Sequence, residues 1–193
     1  LRFGTYQVYV DDRIDETGLF YDPHTISKRD LRLLLGHATR NKLKCHTLED
    51  FIERVFYGIG YDLGATVVGF NLPFDISRIA WHHGTAKTPS MAGGFSFALS
   101  HDSRRGRVQV KMLSGSAPSI RFASPEHRVS RRRGNEVPPS QGHFVDLRAL
   151  AAALTNRPFS LKTLAEFLQT KHRKLSGDVL DGPLTDQTVE YAL

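Results

Sequence analysis

Cysteine is almost absent from this chain, whose 193 residues include only one, Cys45. A single cysteine excludes an internal disulfide and a cysteine-rich zinc site, so we expect a reducing, cytoplasmic environment. Long hydrophobic runs are also lacking, and none approaches the roughly 18–20 residues that a membrane-spanning helix needs. The chain has no initial methionine, because it begins at Leu1. We therefore expect a fragment or a processed product of a protein that does not span a membrane.

What the chain does contain is the composition of an ordinary globular domain. Hydrophobic residues make up 40% and charged residues 24%, which are the proportions of a folded soluble protein. A length of 193 residues suits one domain with its own core, so we predict a single domain over 1–193. Helical and strand-like segments alternate along the chain, which predicts the α/β class.

Positive charge is concentrated in one segment. The net charge is +6, and residues 101–133 contain nine Lys and Arg against two acidic residues, whereas the other 160 residues carry 17 basic and 18 acidic groups. Such a cluster is typical of a surface that attracts nucleic-acid phosphates, and a solvated, partly disordered loop is the alternative. The candidate backbone contacts are Arg104, Arg105, Arg107, Arg131, Arg132 and Arg133.

The most informative stretch is residues 65–79, which read ATVVGFNLPFDISRI. Its β-branched start predicts a buried strand, and Pro73 cannot continue that strand. Apolar residues then recur at helical spacing, so Asp75 should lie in the first helical turn. Asn71 and Asp75 thereby come to the carboxyl end of a strand, where open α/β sheets bind ligands. On spacing alone, Asp75 as a helix cap and Asn71 as a turn residue are the alternative.

Further segments follow from local patterns. Strands are predicted over 1–12 and 17–21, and residues 11–16 are predicted to form the turn between them. We therefore interpret Asp15-Glu16-Thr17 as part of that turn and not as a metal-binding motif. Helices should begin at caps Ser27 and Thr47 and end near Gly36 and Gly58. Asp146 follows a short strand, and we predict that it caps the next helix, with metal ligation as the alternative.

Two other regions do not fit a simple α/β alternation. Trp81-His82-His83 follows the predicted helix at 75–80, where adjacent histidines point in different directions, so we predict no metal site there. Residues 91–142 combine Gly, Pro, Ser and Arg with strand-like pieces at 95–99, 108–112 and 120–123. This pattern predicts a β-rich basic insertion with a flexible tip near 130–140.

The string Phe70-Asn71-x-x-Phe74-Asp75 closely resembles the second motif of the DEDD 3′–5′ exonucleases, a ribonuclease-H-like superfamily that includes polymerase proofreading domains. A last helix, capped by Thr185, carries Tyr191, which resembles the tyrosine of the third motif, Tyr-x-x-x-Asp. The similarity covers roughly 1–90 and 143–193, and the basic insertion has no counterpart. The resemblance implies a ribonuclease-H-like, three-layer α/β fold with a mixed central sheet.

The resemblance also implies a role for each matched residue. Asn71 would hold the substrate strand, with Phe70 and Phe74 packing beside it. Asp75 would bind the catalytic metals, and the hydroxyl of Tyr191 would orient the attacking water. The implied cofactors are two Mg²⁺ or Mn²⁺ ions, the implied substrate is a single-stranded DNA 3′ end, and the implied partner is a polymerase domain in the same parent chain.

Most of the acidic residues of the family pattern are missing. Of its four carboxylates this chain contains Asp75; the first-motif Asp-x-Glu would lie just before Leu1, and the last Asp two residues beyond Leu193. Because one carboxylate cannot hold two ions, we expect the chain alone to bind no catalytic metal pair. We expect a longer parent protein to degrade DNA from the 3′ end of the strand. A non-catalytic nucleic-acid-binding module and another ribonuclease-H-like nuclease or recombinase remain as alternatives.

Overall fold

The computed structural model describes residues 1–115, 117–123, 142–170 and 183–192, apart from the side chain of Tyr191. The chain is a mixed α/β protein with several sheets. It divides into two compact units, one formed by Leu1–Phe51 with Gln169–Leu193 and the other by Ile52–Leu168. Among the described helices, none combines the length and apolar character needed to cross a bilayer.

The first unit contains a three-stranded mixed sheet. Strand β1 (Phe3–Val10) pairs antiparallel with β2 (Arg13–Tyr21), and β2 pairs in parallel with β3 (Lys44–Thr47). Asp11 and Asp12 alone connect the first two strands, with φ values of 49° and 62°. Positive φ at both turn residues gives a tight hairpin whose twist matches that of the strands.

The predicted turn over 11–16 is therefore wrong beyond Asp12, because β2 already contains Asp15 and Glu16. The register shifts at this point, because Val8 pairs with Glu16 and Tyr9 with Ile14, which leaves Asp15 as a β-bulge. Glu16 accepts a hydrogen bond from the hydroxyl of Tyr6 at 2.6 Å. The reason given for setting this motif aside, that it lies in a turn, is therefore wrong.

The two predicted helix starts are confirmed, but the predicted ends are wrong. Helix α1 (Lys28–Arg40) begins at Ser27, whose hydroxyl oxygen accepts a hydrogen bond from the backbone N–H of Asp30 at 3.0 Å, and it passes through Gly36. Helix α2 (Leu48–Asp50) begins after Thr47 and continues past Gly58 as a π-helix, Phe51–Asp62. A glycine inside a helix costs only about 1 kcal/mol relative to alanine, which the packing of its neighbours offsets.

Helix α6 (Asp186–Ala192) completes the core of the first unit. Its predicted cap is confirmed, because the hydroxyl of Thr185 accepts a hydrogen bond from the backbone N–H of Thr188 at 3.1 Å. Val189 is fully buried in a cluster with Leu19 of β2 and Leu34 of α1. The backbone that carries Tyr191 is therefore an anchored helix.

In the second unit, two short parallel strands each lead directly towards a helix. Strand β4 (Thr66–Gly69) pairs with β9 (His143–Asp146); helix α3 (Leu72–Ile79) follows β4, and α4 (Leu147–Thr155) follows β9. The strand is where the sequence predicted it, but the expectation that it is buried is only partly correct, since Val68 is 57% exposed. The physical reason is that β4 pairs with β9 alone among the described strands.

The second unit also contains an antiparallel four-stranded sheet, helix α5 (Leu161–Phe167) and the π-helix from Ile52 onward. The strands of this sheet lie in chain order: β5 (His82–Thr85), β6 (Phe95–Ala98), β7 (Val108–Ser114) and β8 (Ala117–Phe122). The last three confirm the strand-like pieces predicted within 91–142. Trp81-His82-His83 lies just past the end of α3 at Ile79, as predicted, but His82 and His83 belong to β5 and not to a helix. The predicted tip at 130–140 lies outside the described residues.

Candidate functional site

Asn71 and Asp75 lie where the sequence placed them, just past the carboxyl end of β4. Asp75 is in the first turn of α3, and Asn71 stands before that helix in the left-handed conformation, with φ 68° and ψ 46°. The backbone carbonyl of Asn71 accepts a hydrogen bond from the N–H of Phe74 at 2.9 Å. The turn role of Asn71 is thus confirmed. Its side-chain amide makes no capping hydrogen bond, which leaves that amide for another partner.

Gly69 allows α3 to fold back closely on the end of β4. A Cβ atom at Gly69 would lie 2.5 Å from Cδ2 of Leu72, a buried side chain, and 3.8 Å from Oδ2 of Asp75. A methyl group there would overlap the leucine, so this close approach requires glycine. The same distances place the carboxylate of Asp75 directly beside the strand end. Sequence reasoning assigned no role to Gly69, although a glycine at the end of a strand is a signal of close packing.

Asp146 lies next to Gly69 on the neighbouring strand. The parallel register pairs these two residues, and paired strands are about 4.8 Å apart. Oδ1 of Asp146 accepts a hydrogen bond from the N–H of Ala149 at 3.1 Å, which confirms the predicted cap of α4. Oδ2 accepts a second from the N–H of Leu72 at 2.8 Å. One carboxylate therefore joins the starts of α3 and α4.

The carboxyl groups of Asp75 and Asp146 consequently meet at one edge of the unit. Burial of its carboxyl group and, secondarily, the negative charge of Asp146 raise the pKa of Asp75 to about 6. Asp75 nevertheless keeps an exposed surface, and within the described part of the chain its carboxylate has neither a hydrogen-bond donor nor a cationic partner. Acids whose pKa is raised by desolvation and by a second acid are concentrated at functional sites.

Aromatic and cationic groups lie beside this pair. Phe74 is 57% exposed on α3, whereas Phe70, at the turn, is half-buried. Arg78 lies one helical turn beyond Phe74, with its guanidinium carbon 5.9 Å from the ring centroid. An exposed ring with a nearby cation can stack on a base and attract a phosphate. Sequence reasoning missed Arg78, which the i, i+4 spacing from Phe74 could have indicated.

The remaining predicted site residues are not brought together here. The side chain of Tyr191 lies outside the described part of the chain, so its role beside Asp75 stays a prediction. Arg104 forms an ion pair with Asp102 at 2.7 Å, and Arg105 forms one with Asp62 at 2.8 Å. Arg107 donates to the hydroxyl and the carbonyl oxygens of a β6 serine, at 2.9 and 2.7 Å. Arg131, Arg132 and Arg133 lie outside the described residues.

The donor set fits a divalent cation in part. Mg²⁺ and Mn²⁺ prefer oxygen ligands, and the carboxylate of Asp75 is such a ligand without a competing partner in the described structure. Each oxygen of Asp146 retains acceptor capacity beyond its one backbone hydrogen bond. Across 1–115, 117–123, 142–170 and 183–192, no group of three or more His, Cys, Asp or Glu side chains could hold a metal ion. Two carboxylates do not complete a two-ion centre.

Comparison with known proteins adds no relative. No family model matches the chain, and neither a curated protein nor a solved structure matches it. The exonuclease assignment therefore depends on the motifs quoted above and on the local geometry around Asp75. The described residues form a mixed α/β fold with several sheets.

Proposed function

We propose that this chain belongs to a 3′–5′ exonuclease of the ribonuclease-H-like type. The exonuclease hydrolyses phosphodiester bonds at the 3′ ends of single-stranded DNA, and it forms the proofreading part of a larger polymerase. The observation that carries the proposal is the pair of carboxylates, Asp75 and Asp146, at the ends of two adjacent parallel strands. Asn71 in its left-handed turn and the exposed ring of Phe74 support it, since both lie within one helical turn of Asp75.

In this proposal each group at the strand ends has a chemical task. The carboxylate of Asp75 holds a divalent cation, and the side-chain amide of Asn71 hydrogen-bonds the terminal nucleotide. Phe74 stacks on a base, and Arg78 attracts a phosphate. Asp146 is a positioning residue: it fixes the start of α3 through the N–H of Leu72, and its charge increases the affinity of the edge for a cation.

The reaction is a hydrolysis. A water oxygen forms a bond to phosphorus, the bond from phosphorus to the 3′ oxygen of the preceding nucleotide breaks, and a proton passes to that oxygen, which releases a nucleoside 5′-monophosphate. Two bound Mg²⁺ or Mn²⁺ ions would supply charge stabilisation and water activation. The hydroxyl of Tyr191 would orient the water. The further carboxylates are those that the resemblance expects on either side of this chain.

The test is digestion of a 5′-labelled single-stranded DNA with Mg²⁺ or Mn²⁺, by this chain and by a longer polypeptide that contains the expected flanking acids. We expect the longer protein to shorten the DNA from its 3′ end and the 193-residue chain to be inactive. In the longer protein, Asp75→Asn should reduce the rate of DNA digestion by at least about 100-fold. That factor is the upper end of the range for residues that merely orient a metal ligand. Glu166→Gln, at an exposed acid on α5, is the matched control and should retain activity.

Two results would contradict this proposal. Full activity of Asp75→Asn in the longer protein would exclude a metal-binding role for this carboxylate. Strong metal-dependent digestion by the 193-residue chain would show that the expected flanking acids are unnecessary, and the family resemblance would then explain little of the chemistry.

A non-catalytic nucleic-acid-binding module is the second candidate. The observation that favours it is the charge of residues 76–123, which contain seven Lys and Arg but one acidic residue, Asp102. A binding module needs such a surface and no metal centre. The two functions are separated by measuring binding in EDTA, since binding without any cleavage in the longer protein supports the second.

A further inference from the structure

The β5–β8 sheet has one apolar and one polar face. Paired residues of an antiparallel sheet point to the same side. One paired row is Phe97, Val108 and Phe122, and the ring of Phe122 packs on rings of the π-helix with centroid distances of 5.0–5.9 Å. The adjacent row is Ser96, Gln109 and Arg121. The second row therefore lies on the face turned away from the aromatic core.

Cationic side chains lie along this polar face. Arg107 and Lys111 flank Gln109 at a spacing of two residues, so they share its side of the sheet. Arg121 donates to Oε1 of Gln109 at 3.3 Å, and Arg107 donates to Oγ of Ser96 at 2.9 Å. Ser96 and Gln109 are 6% and 4% exposed. Thr88 also accepts a hydrogen bond from the Gln109 amide at 2.9 Å, so Thr88 and the two arginines together cover these buried polar groups.

These cations are not neutralised within the described structure. No acidic side chain in the described residues forms an ion pair with Arg107, Lys111 or Arg121, in contrast to Arg104 and Arg105. The four strands contain no Asp or Glu at all. A surface with several uncompensated cations attracts polyanions.

Exposed aromatic rings adjoin the cations at the start of β5. Trp81, which is 54% exposed, stacks on His101 with centroids 4.5 Å apart and an interplanar angle of 23°. Its indole N–H donates to the carbonyl of Ser100 at 3.0 Å, which fixes the ring. The ring of His82 lies 5.5 Å from that of Trp81, and Nδ1 of His82 lies 3.4 Å from a guanidinium nitrogen of Arg107. The aromatic rings and the cations therefore form one continuous surface.

We propose that this surface, formed by Trp81, His82, His101, Arg107, Lys111 and Arg121, binds single-stranded nucleic acid. Cations attract the phosphates and a fixed, exposed indole stacks on an unpaired base, the two contacts that single-strand binding combines. Paired bases cannot reach an aromatic ring in this way, so a single strand binds more tightly than a duplex. This inference shares with the proposed function only the class of ligand, which is nucleic acid, because binding at this surface requires neither a metal ion nor cleavage.

Trp81 makes a direct test practical, because it is the only tryptophan of the chain. The wild-type chain is titrated in EDTA with an oligothymidylate of about 12 nucleotides, a length within the usual single-strand site size, while tryptophan fluorescence is recorded. We expect saturable quenching. The apparent Kd should increase steeply with salt, by about 0.7 in log–log slope for each phosphate contact. A duplex of equal length should bind more weakly.

Charge variants identify the surface. Lys111→Gln with Arg121→Gln should weaken binding at least about tenfold and lower the salt slope by about 1.4, because two phosphate contacts are lost. Arg157→Gln with Lys162→Gln removes the same charge at two exposed residues outside the β5–β8 sheet and should leave the affinity within about twofold, because exposed charges at a distance are screened. Trp81→Ala, followed by anisotropy of a labelled oligonucleotide, should also weaken binding about tenfold. If the double variant does not fold, as judged by circular dichroism, Trp81→Ala and His101→Ala replace it.

The proposal is overturned if the matched control weakens binding as much as the face variant, since net charge alone would then explain the affinity. It is also overturned if polyglutamate or anionic vesicles quench Trp81 with the same affinity as the oligonucleotide. Asp75→Asn separates this inference from the nuclease proposal. Unchanged binding by that variant in EDTA supports a surface independent of the catalytic edge, whereas lost binding refutes it.

Discussion

Asp75→Asn should make the folded protein more stable at neutral pH. In the folded state burial and the charge of Asp146 raise the pKa of Asp75 from 3.8 to about 6. Between these pH values the folded state binds more protons than the unfolded state. The free energy of unfolding therefore falls as the pH rises from about 4 to about 6, and it stays lowered above that range. An asparagine resembles the neutral acid and carries no such penalty.

The size of the effect follows from the same pKa. A rise from 3.8 to about 6 corresponds to at most about 3 kcal/mol. Because Asp75 is an exposed residue, solvent screening reduces the expected gain to about 1 kcal/mol. In a chain of this length, such a gain raises the midpoint of thermal unfolding by about 2–4 °C.

Thermal unfolding followed by circular dichroism measures this difference. The asparagine variant and the wild type should unfold at similar temperatures at pH 3.5, and the variant should unfold at the higher temperature at pH 7.5. Glu166→Gln, at an exposed acid of α5, should change neither midpoint appreciably. A variant that is no more stable than the wild type at pH 7.5 would refute the reasoning, because the Asp75 carboxylate would then carry no penalty that a bound cation could relieve.

Three further changes test individual contacts. Asp146→Asn should lower the pKa of Asp75 below about 6 but leave it above the ordinary value, because burial is the larger cause. An NMR titration of the carboxyl group measures this pKa. An unchanged pKa would show that the charge of Asp146 does not act on Asp75. Arg105→Ala should cost about 1–2 kcal/mol in urea unfolding, since it removes two partly buried ion pairs, to Glu53 and Asp62. Arg104→Ala, which removes one exposed ion pair, should produce no measurable change, and equal losses for the two variants would contradict this distinction. Gly69→Ala should lower the free energy of unfolding by about 1–3 kcal/mol, because the added methyl group overlaps Leu72 of α3. An unchanged midpoint of urea unfolding would disprove the close approach of α3 to the end of β4.

The strand, turn and helix at 65–79 could be predicted because their signals are local. A β-branched run, Pro73 and helical spacing after Asp75 all act within fifteen residues. The caps at Ser27 and Thr47 are equally local, and they hold. The contact from Asp146 to the N–H of Leu72 joins residues that are 74 positions apart, and no local pattern indicates it.

The wrong turn over 11–16 and the two wrong helix ends share one physical cause, which is that a polar or flexible residue was taken to end an element. Asp15 and Glu16 are hydrophilic, yet they occupy a strand with one face open to solvent, where polar side chains are tolerated. Gly36 and Gly58 lie inside helices because their cost is small compared with the packing of the residues around them.

The binding of Mn²⁺ at the carboxyl end of β4 tests the central claim most directly. The ¹⁵N-labelled protein is titrated with Mn²⁺ at pH 7.5, and the paramagnetic broadening of its NMR signals is followed. The side-chain amide of Asn71 and the backbone signals around Asp75 and Asp146 should broaden before all others. In Asp75→Asn these signals should no longer broaden first. Uniform weak broadening, or broadening that survives in the variant, would contradict the account, because the two carboxylates would then be a structural pair and not a cation site.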